Sequence, residues 1–594
     1  MKIELIDKKI CKYLELMEFH PAVQKIGSTF PIISVRNLLD LYRDSYIKDN
    51  KRIYLHIYSL LSRAEEFGKM RGVRQKDLIE TYIAIFYHDC PKVLQKIVSE
   101  NLLLSQVLKL ESGHSISSRR LFFYVDEPLI AHHIRHNSVD FTLDIANNCV
   151  TVPQLLLNIV DKTDISGKKV SVEEKYKNIK KNIGSSPDYD DYSEKIACKY
   201  LNRVLNEDVN LYDYEFISLE EIPVFSSLFV QRWDGKYCSP VGKYRHTNSN
   251  LYISKHISKW GYKTTILHEG NFRDTVQEAN TQLIGVPEDT LEAALPLYCM
   301  DKNLVIVEGS TSRVSSLRKI INSSSALVLL LRTLALGKMG AERLKNAALA
   351  DEIWVMTEAM KEAVTSEFEE YGIPTKNIRL LQSGVDSDVF NISKTVERIP
   401  GKITYVGALT KIKGIDLLIE AFKRIKVEFP YAELHLIGDQ EIYGRVNDFM
   451  SVEEMKKIPG VVLHGSMLAD QIAPHLQTAH VSCLLTTIYE TYGKAAMQAR
   501  CCGTRMIVSS LGNNPFHVQS KSEGLVVKKL DIDSITKALR TVLSEKPITV
   551  APPADRYHTW KITALDFVTN YNHLSRSVLK RCLEESKINE VRLP

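Results

Sequence analysis

The sequence predicts two doubly wound α/β domains in series, preceded by a mainly α-helical region. Three observations predict it. From about residue 222, short aliphatic or β-branched runs alternate with amphipathic helices, the grammar of parallel βαβ units. That grammar runs to about residue 390 and begins again near Gly401. The first ~200 residues show helical periodicity instead.

In the first region, Leu38, Leu39, Tyr42 and Tyr46 recur at helical spacing. So do Leu55, Tyr58, Leu61 and Phe67, and then Leu78, Tyr82, Ile85 and Phe86. Pro91 suits a helix start. The lysine-rich stretch Lys175 to Lys181 and the polar, acidic Gly184 to Tyr192 read together as an exposed connection. No cluster of His, Cys and carboxylates in this region reads as catalytic.

In the second region, Leu228 to Gln231 reads as a strand, Asn250 to Trp260 as a helix and Lys263 to Leu267 as a strand. Strands follow at Asn303 to Val307, Ala326 to Leu331 and Glu352 to Met356, with helices at Arg313 to Ile321 and Glu358 to Glu370. In the third, strands are expected at Ile403 to Val406, Leu434 to Ile437, Val461 to Leu463, Val481 to Leu485, Met506 to Val508 and Gly524 to Val527. Helices are expected from Ile415 and Ile532. Two such sheets in series create a cleft, and ligands bind beyond the C-terminal strand ends.

Composition narrows the function. The 594 residues are 44% hydrophobic and 25% charged, which excludes a collagen-like or mainly disordered chain. Lys plus Arg is 77 and Asp plus Glu 72, a net charge of +5 that does not indicate a nucleic-acid partner. The ten cysteines include no C-x-x-C pair, so a structural zinc site is not expected, and free thiols in a reducing compartment are. Residues 1 to 11 lack the apolar core of a signal peptide, and no run approaches the ~20 apolar residues that span a bilayer. A cytoplasmic location is expected. Leu317 to Lys345 mixes six basic residues with an aliphatic run, a composition peripheral membrane proteins use against anionic lipid. Ala326 to Leu331 reads better as a buried parallel strand.

The strand-end loops carry the chemistry. The first is Gly407-Ala408-Leu409-Thr410-Lys411-Ile412-Lys413-Gly414. Gly407 allows close backbone approach to a ligand, and Lys411 and Lys413 supply charge for a phosphate. Taken alone, an ordinary βα turn with solvated lysines is the simpler reading. Gly438-Asp439 and His464-Gly465-Ser466-Met467 look like further close-approach turns. The fourth loop, Thr486 to Lys494, precedes a helix through Ala495, Met497 and Gln498. Gly493 sits where that helix opens, and free N–H groups there favour a diphosphate. Glu490 can accept hydrogen bonds from sugar hydroxyls, and Gln498, one turn inside, can bond ribose hydroxyls. A Glu beside a helix N-terminus is also favoured by the macrodipole alone.

From about Asp351 to Tyr571 the chain resembles retaining glycosyltransferases of the GT-B fold, family 4. The family's Glu-x7-Glu loop appears as Glu490 to Gln498 (ETYGKAAMQ), and its phosphate loop as GALTKIKG. Leu436 to Asp439, Val461 to Met467 and Cys502 to Pro515 are further echoes. Ala350 to Glu362 resembles the last strand and helix of the family's first domain, Gln382 to Phe390 its interdomain crossing, and His558 to Tyr571 its returning terminal helix. The resemblance implies a metal-independent transfer from a UDP- or GDP-linked sugar, with no cofactor. It implies Lys413 on the pyrophosphate and Glu490 on the transferred sugar, the two residues expected to be catalytic. It implies the backbone of Tyr492, Gly493 and Lys494 on sugar and phosphate, Gln498 on ribose, and Ser466 and Met467 by the base. Gly407, Lys411 and Gly438 complete the expected donor site. The acceptor-side glycine is expected at Gly242, and His246 lies in the same loop. The family's acceptor-side histidine has no clean counterpart; His268 ends a strand and reads as structural. Arg332 ends a strand facing the cleft, either to hold an anion or to cap the strand.

Two positions depart from the family. Its phosphate-binding Arg is Ala408 here, and its second Glu is Gln498. Losing a charged hydrogen bond costs ~1.5–3 kcal/mol, or one to two orders of magnitude in affinity or rate. The leading expectation is a nucleotide-sugar-dependent transferase whose acceptor is a glycan, protein or lipid. The rival is a degenerate sugar-nucleotide-binding scaffold whose helical region binds a protein partner. The expected divisions are residues 1–215, 216–392, 393–550 and 551–594.

Overall fold

The computed structural model describes residues 3–134, 150–183, 191–214, 226–231, 249–269, 275–278, 281–286, 290–300, 302–322, 324–333, 339–440, 449–551 and 558–586. Among the described residues, the first ~215 are mainly helical, with one small hairpin, β1 (Asp164–Ile165) with β2 (Lys168–Lys169).

The three periodic stretches lie on helices Val35–Asp49, Ile53–Met70 and Gln75–His88. On the second, the buried stripe is turned one residue from the one expected. Tyr54, Ile57, Leu60, Leu61 and Ala64 are buried, and Leu55, Tyr58 and Phe67 only partly so. His56 is buried with that stripe, so the face is set by a polar contact as well as by apolar ones. Pro91 opens helix Pro91–Val98. The lysine-rich stretch is not a connection: it lies on helix Val172–Ile183. Its expected continuation, residues 184–190, lies outside the described residues.

The first sheet has eight strands: β3 (Ser226–Gln231), β4 (Lys263–Glu269), β5 (Thr275–Glu278), β6 (Thr281–Val286), β7 (Leu304–Glu308), β8 (Ala326–Leu331), β9 (Glu352–Val355) and β10 (Asn377–Leu380). Their order is β10-β9-β8-β7-β3-β4-β6-β5, parallel except for the β5–β6 edge pair. All six residues of β8 are buried, as its unbroken aliphatic run requires of a central parallel strand. The β5–β6 hairpin, helix Leu291–Cys299 and β10 go beyond what the sequence pattern indicates.

The second sheet has six parallel strands: β11 (Lys402–Val406), β12 (Glu433–Ile437), β13 (Val461–Gly465), β14 (Val481–Leu484), β15 (Met506–Ser509) and β16 (Gly524–Val527). Their order is β13-β12-β11-β14-β15-β16. Two Rossmann-like sheets behind a helical region make a GT-B fold with an added N-terminal layer. Helix Trp560–Ser586 returns to the first domain, where Val385 pairs with Thr559.

Alternate residues of β3 face opposite cores, as a strand's period of two dictates. Phe229 joins a core shared by the helical region, Trp354 and the terminal helix's Trp560 and Phe567. Leu228 and Val230 face a second core, which continues across the interdomain boundary to Val406, Ile437, Leu484 and Met497. The helical region is therefore packed onto the first sheet. Arg120, buried, reaches Asp566 of the terminal helix at 2.9 Å, and Lys109 reaches the same carboxylate at 3.2 Å.

Candidate functional site between the two sheets

In the second sheet the strand order reverses between β11 and β14, and that is where a doubly wound sheet leaves its ligand crevice. The loop after β11 carries Gly407, Lys411 and Lys413, and the loop after β14 carries Glu490 to Lys494. The fold brings them together: Lys413 Nζ donates to Glu490 Oε2 at 2.8 Å, with Glu490 only 15% exposed.

The loops fit closely at two glycines. Gly438 has φ +146, and a Cβ there would stand 1.8 Å from the carbonyl oxygen of Gly407. Gly414 has φ +70, and its Cβ would meet the Leu485 carbonyl oxygen at 1.9 Å. Both are places where a side chain would force the strand-end loops apart. Gly438 N donates to the Gly465 carbonyl, and Ser466 donates to Asp439. Met467 packs, half-buried, against the cleft core.

Glu490 is fixed through its backbone, its carbonyl accepting from Asn513 N at 2.7 Å. The Tyr492 carbonyl accepts from Asn513 Nδ2 at 3.0 Å and lies 2.6 Å from His517 Nε2. These bonds hold the loop where helix Lys494–Cys501 opens at Gly493, which has left-handed φ of +79. No side chain caps that helix, whose N-terminal N–H groups face the loop. Gln498, one turn inside, is half-buried and lines a small cavity with Tyr252, Asp386 and Trp560. A larger cavity of about 540 Å³ runs along the domain boundary, lined by Thr357, Glu358, Gln382, Tyr492, Asn513 and Phe516 among others.

Across the cleft, the Lys494 side chain leaves its own domain and donates to Ser249 Oγ at 2.9 Å. Thr491 Oγ1 donates to the Arg332 carbonyl at 2.7 Å. Arg332 neither stands open to an anion nor merely caps its strand. Its Nη2 donates to Asn250 Oδ1 at 2.6 Å, its Nε lies 3.3 Å from Glu308 Oε1, and Asn250 Nδ2 donates to Glu308 at 2.7 Å. Burial first, and then the Arg332 charge, pulls the Lys494 pKa down to about 8 against the opposing pull of Glu308. His268 is fully buried in β4. Gly242 and His246 lie outside the described residues.

Residues 400–545 match the model of the family described as glycosyl transferases group 1. Over these residues the chain is similar to group 1 glycosyltransferases. An uncharacterized glycosyltransferase of Methanocaldococcus jannaschii is 25% identical over 206 residues, 33% of this chain and 51% of that protein. A glycogen synthase of Mycobacterium tuberculosis is 23% identical over 205 residues, 33% and 46%. Mannosylfructose-phosphate synthase of Agrobacterium fabrum is 28% identical over 158 residues, 24% and 35%. The chain thus spans about half or less of the curated relatives it matches. Among solved structures, an α,α-trehalose-phosphate synthase of Burkholderia vietnamiensis aligns at a TM-score of 0.47 and 10% identity, covering 59% of this chain and 99% of that one.

The matched residues 400–545 contain every residue that the sequence analysis expected on the donor side. The partners from elsewhere had weaker signals. Nothing local marks Ser249, Asn250 or Glu308 as cleft residues, whereas Asn513 lies inside the matched residues, in the CGTRMIVSSLGNNP echo. No described helix is long and apolar enough to cross a membrane.

Proposed function

We propose that this protein is a retaining, metal-independent glycosyltransferase that takes a hexose from a nucleotide-sugar donor. Residues 393–550 would hold the donor and residues 216–392 the acceptor, with the helix after residue 551 tying the two. The observation that carries the reading is the Lys413–Glu490 pair in the β11/β14 crevice, one loop from an uncapped helix N-terminus. A diphosphate seated on those N–H groups would draw Lys413 from Glu490, and the freed carboxylate would accept from the sugar hydroxyls. The leaving diphosphate would then be stabilised by the ammonium and the helix end rather than by a metal ion. The relatives' names, a synthase of glycogen and one of mannosylfructose phosphate, support sugar transfer.

Ala408 and Gln498 weaken the donor site relative to the family pattern. They leave Glu490, Lys413 and the helix end in place, and those groups bear on the transition state. Purified protein offered a panel of UDP- and GDP-sugars is expected to release nucleoside diphosphate, and Glu490→Ala is expected to abolish it. Tight nucleotide binding with no turnover on any donor or acceptor would favour the scaffold instead.

A further inference from the structure

The helical region shows no ligand spacing in its sequence, yet folding gathers a dense set of donors there. His56 lies on helix Ile53–Met70, His88 ends helix Gln75–His88, Asp89 follows it, and Asp161 ends helix Val152–Asp161. Donor atoms of His56, His88 and Asp89 all lie within 4.8 Å of one another, and all three residues are buried. Asp161 Oδ1 is 3.4 Å from His56 Nε2, Asp89 Oδ2 is 3.9 Å from the same atom, and His88 Nε2 is 3.6 Å from Asp89 Oδ2. Ligands about 2.0–2.2 Å from one ion stand roughly 3.0–3.4 Å apart, so small shifts would close these gaps around a cation.

The far side of each ring decides what the near side offers. His56 Nδ1 is 2.6 Å from Asp164 Oδ1, and His88 Nδ1 is 2.6 Å from the Ile85 carbonyl oxygen. Both partners accept, which puts a proton on each Nδ1 and leaves Nε2 as the atom turned toward the aspartates, where a metal ion would take the place of any Nε2 proton. Metal-binding imidazoles are held in this way. Asp164 is itself fixed by Ser59 Oγ at 2.7 Å and Gly167 N at 2.8 Å.

The same place is rich in cations. Lys92 reaches Asp89 at 2.6 Å, Lys162 reaches Asp161 at 2.9 Å, and Lys175 lies 3.5 Å from Asp161. An ion that took both carboxylates would loosen these pairings and leave three ammonium groups beside a positive centre. An anion with several oxygens is what such a site would then accept. His114, 3.5 Å from Asp89, and Lys92 are both about half exposed and connect the cluster to solvent.

We propose that His56, His88, Asp89 and Asp161 hold a divalent transition-metal ion, and that this centre hydrolyses phosphate esters, separately from the glycosyl-transfer cleft. Two imidazoles and two carboxylates suit Mn²⁺, Fe²⁺, Co²⁺ or Zn²⁺. In the reaction a water oxygen bonds to phosphorus and the ester P–O bond breaks. One water proton goes to the departing alcohol and the other remains on the phosphate, with no oxidant or reductant needed.

The test uses the full chain, stripped by chelation, reloaded with Mn²⁺ and desalted. It is run on a His464→Ala background so that the His435, His464 and His475 trio adds no ion. One Mn²⁺ per chain is expected, and it should be lost in His88→Ala and in Asp89→Asn. The loaded protein should hydrolyse at least one of p-nitrophenyl phosphate, its bis ester and the nucleoside 5′-phosphates, with unchanged rates in Glu490→Ala. Asp164→Asn, which leaves the four ligands in place, should weaken metal affinity or rate roughly 10–100-fold, and it decides the matter if a ligand variant fails to fold. Absence of bound Mn²⁺, or binding indifferent to these substitutions, would overturn the site. Stoichiometric metal with no turnover of any ester would overturn the hydrolytic assignment.

Discussion

Lys494 crosses the cleft to Ser249 and is desolvated there, so replacing it should change how stability responds to pH. Its pKa falls from 10.5 to about 8, with burial the largest cause and Arg332 next. The unfolded chain keeps the ordinary value, so between about pH 8 and 10.5 it binds more protons at this lysine than the folded chain does. Stability must therefore rise with pH across that window, as the cost of holding a buried ammonium is relieved. A fall from 10.5 to about 8, at ~1.36 kcal/mol for each tenfold change in proton affinity, sets an upper bound of roughly 3 kcal/mol. Lys494→Met keeps the length of the side chain and removes the titration. Urea unfolding of both proteins at pH 7, 8, 9 and 10 should show the wild type gaining on the variant by ~2–3 kcal/mol, nearly all of it above pH 8. A constant difference across the series would refute the reasoning, because it would mean that the lysine is as hydrated in the folded protein as in the unfolded chain.

Glu490→Gln removes a charged partner from Lys413 and a strong acceptor from the sugar; nucleoside diphosphate release should fall on the order of 10–100-fold in kcat/KM while nucleotide binding, by calorimetry, stays within a few-fold. Gly438→Ala would place a methyl group 1.8 Å from the Gly407 carbonyl oxygen, so it should lower unfolding stability by ~2 kcal/mol or more and weaken nucleotide binding. Gly465→Ala, whose Cβ would meet only Asp439 at 4.0 Å, should cost less than that by the same denaturant assay. Asp566 is pushed up by burial and pulled further down by Lys109, Arg120 and His558, to about 2. Its contribution is present above pH ~4 and lost as pH falls toward 2, so acid unfolding of Asp566→Asn should lack that step, and at pH 7 the variant should be ~3–5 kcal/mol less stable.

The second sheet and its loops were legible because their signals are local. Each strand of the second sheet is a short aliphatic run, and each ligand loop follows its strand directly, so Lys413 and Glu490 can be placed from sequence. Their 2.8 Å pairing follows once β11 and β14 are neighbours. The first domain was readable as strands and helices, but its cleft chemistry was not. Arg332 could be placed at a strand end facing the cleft, but its partners Asn250 and Glu308 come from separate βα connections and look like ordinary surface residues until the sheet aligns them. The helical region shows the limit most clearly. His56 and Asp161 are 105 positions apart and carry no mutual spacing, and helical periodicity marks Leu55 and Tyr58 rather than His56, because an apolar pattern does not register a polar residue turned inward. The lysines at 175 to 181 read as a loop for the same reason: charge marks exposure, and a solvated helix face looks like a connection.

The most direct test of the donor site is a crystal structure of the full chain soaked with a UDP- or GDP-sugar that it turns over. The diphosphate should lie on the N–H groups at Gly493 and Lys494, with the Lys413 ammonium moved from Glu490 to a phosphate oxygen and the Glu490 carboxylate on the sugar hydroxyls. A nucleotide bound elsewhere, or a Lys413–Glu490 pair left intact beside an empty crevice, would contradict the account.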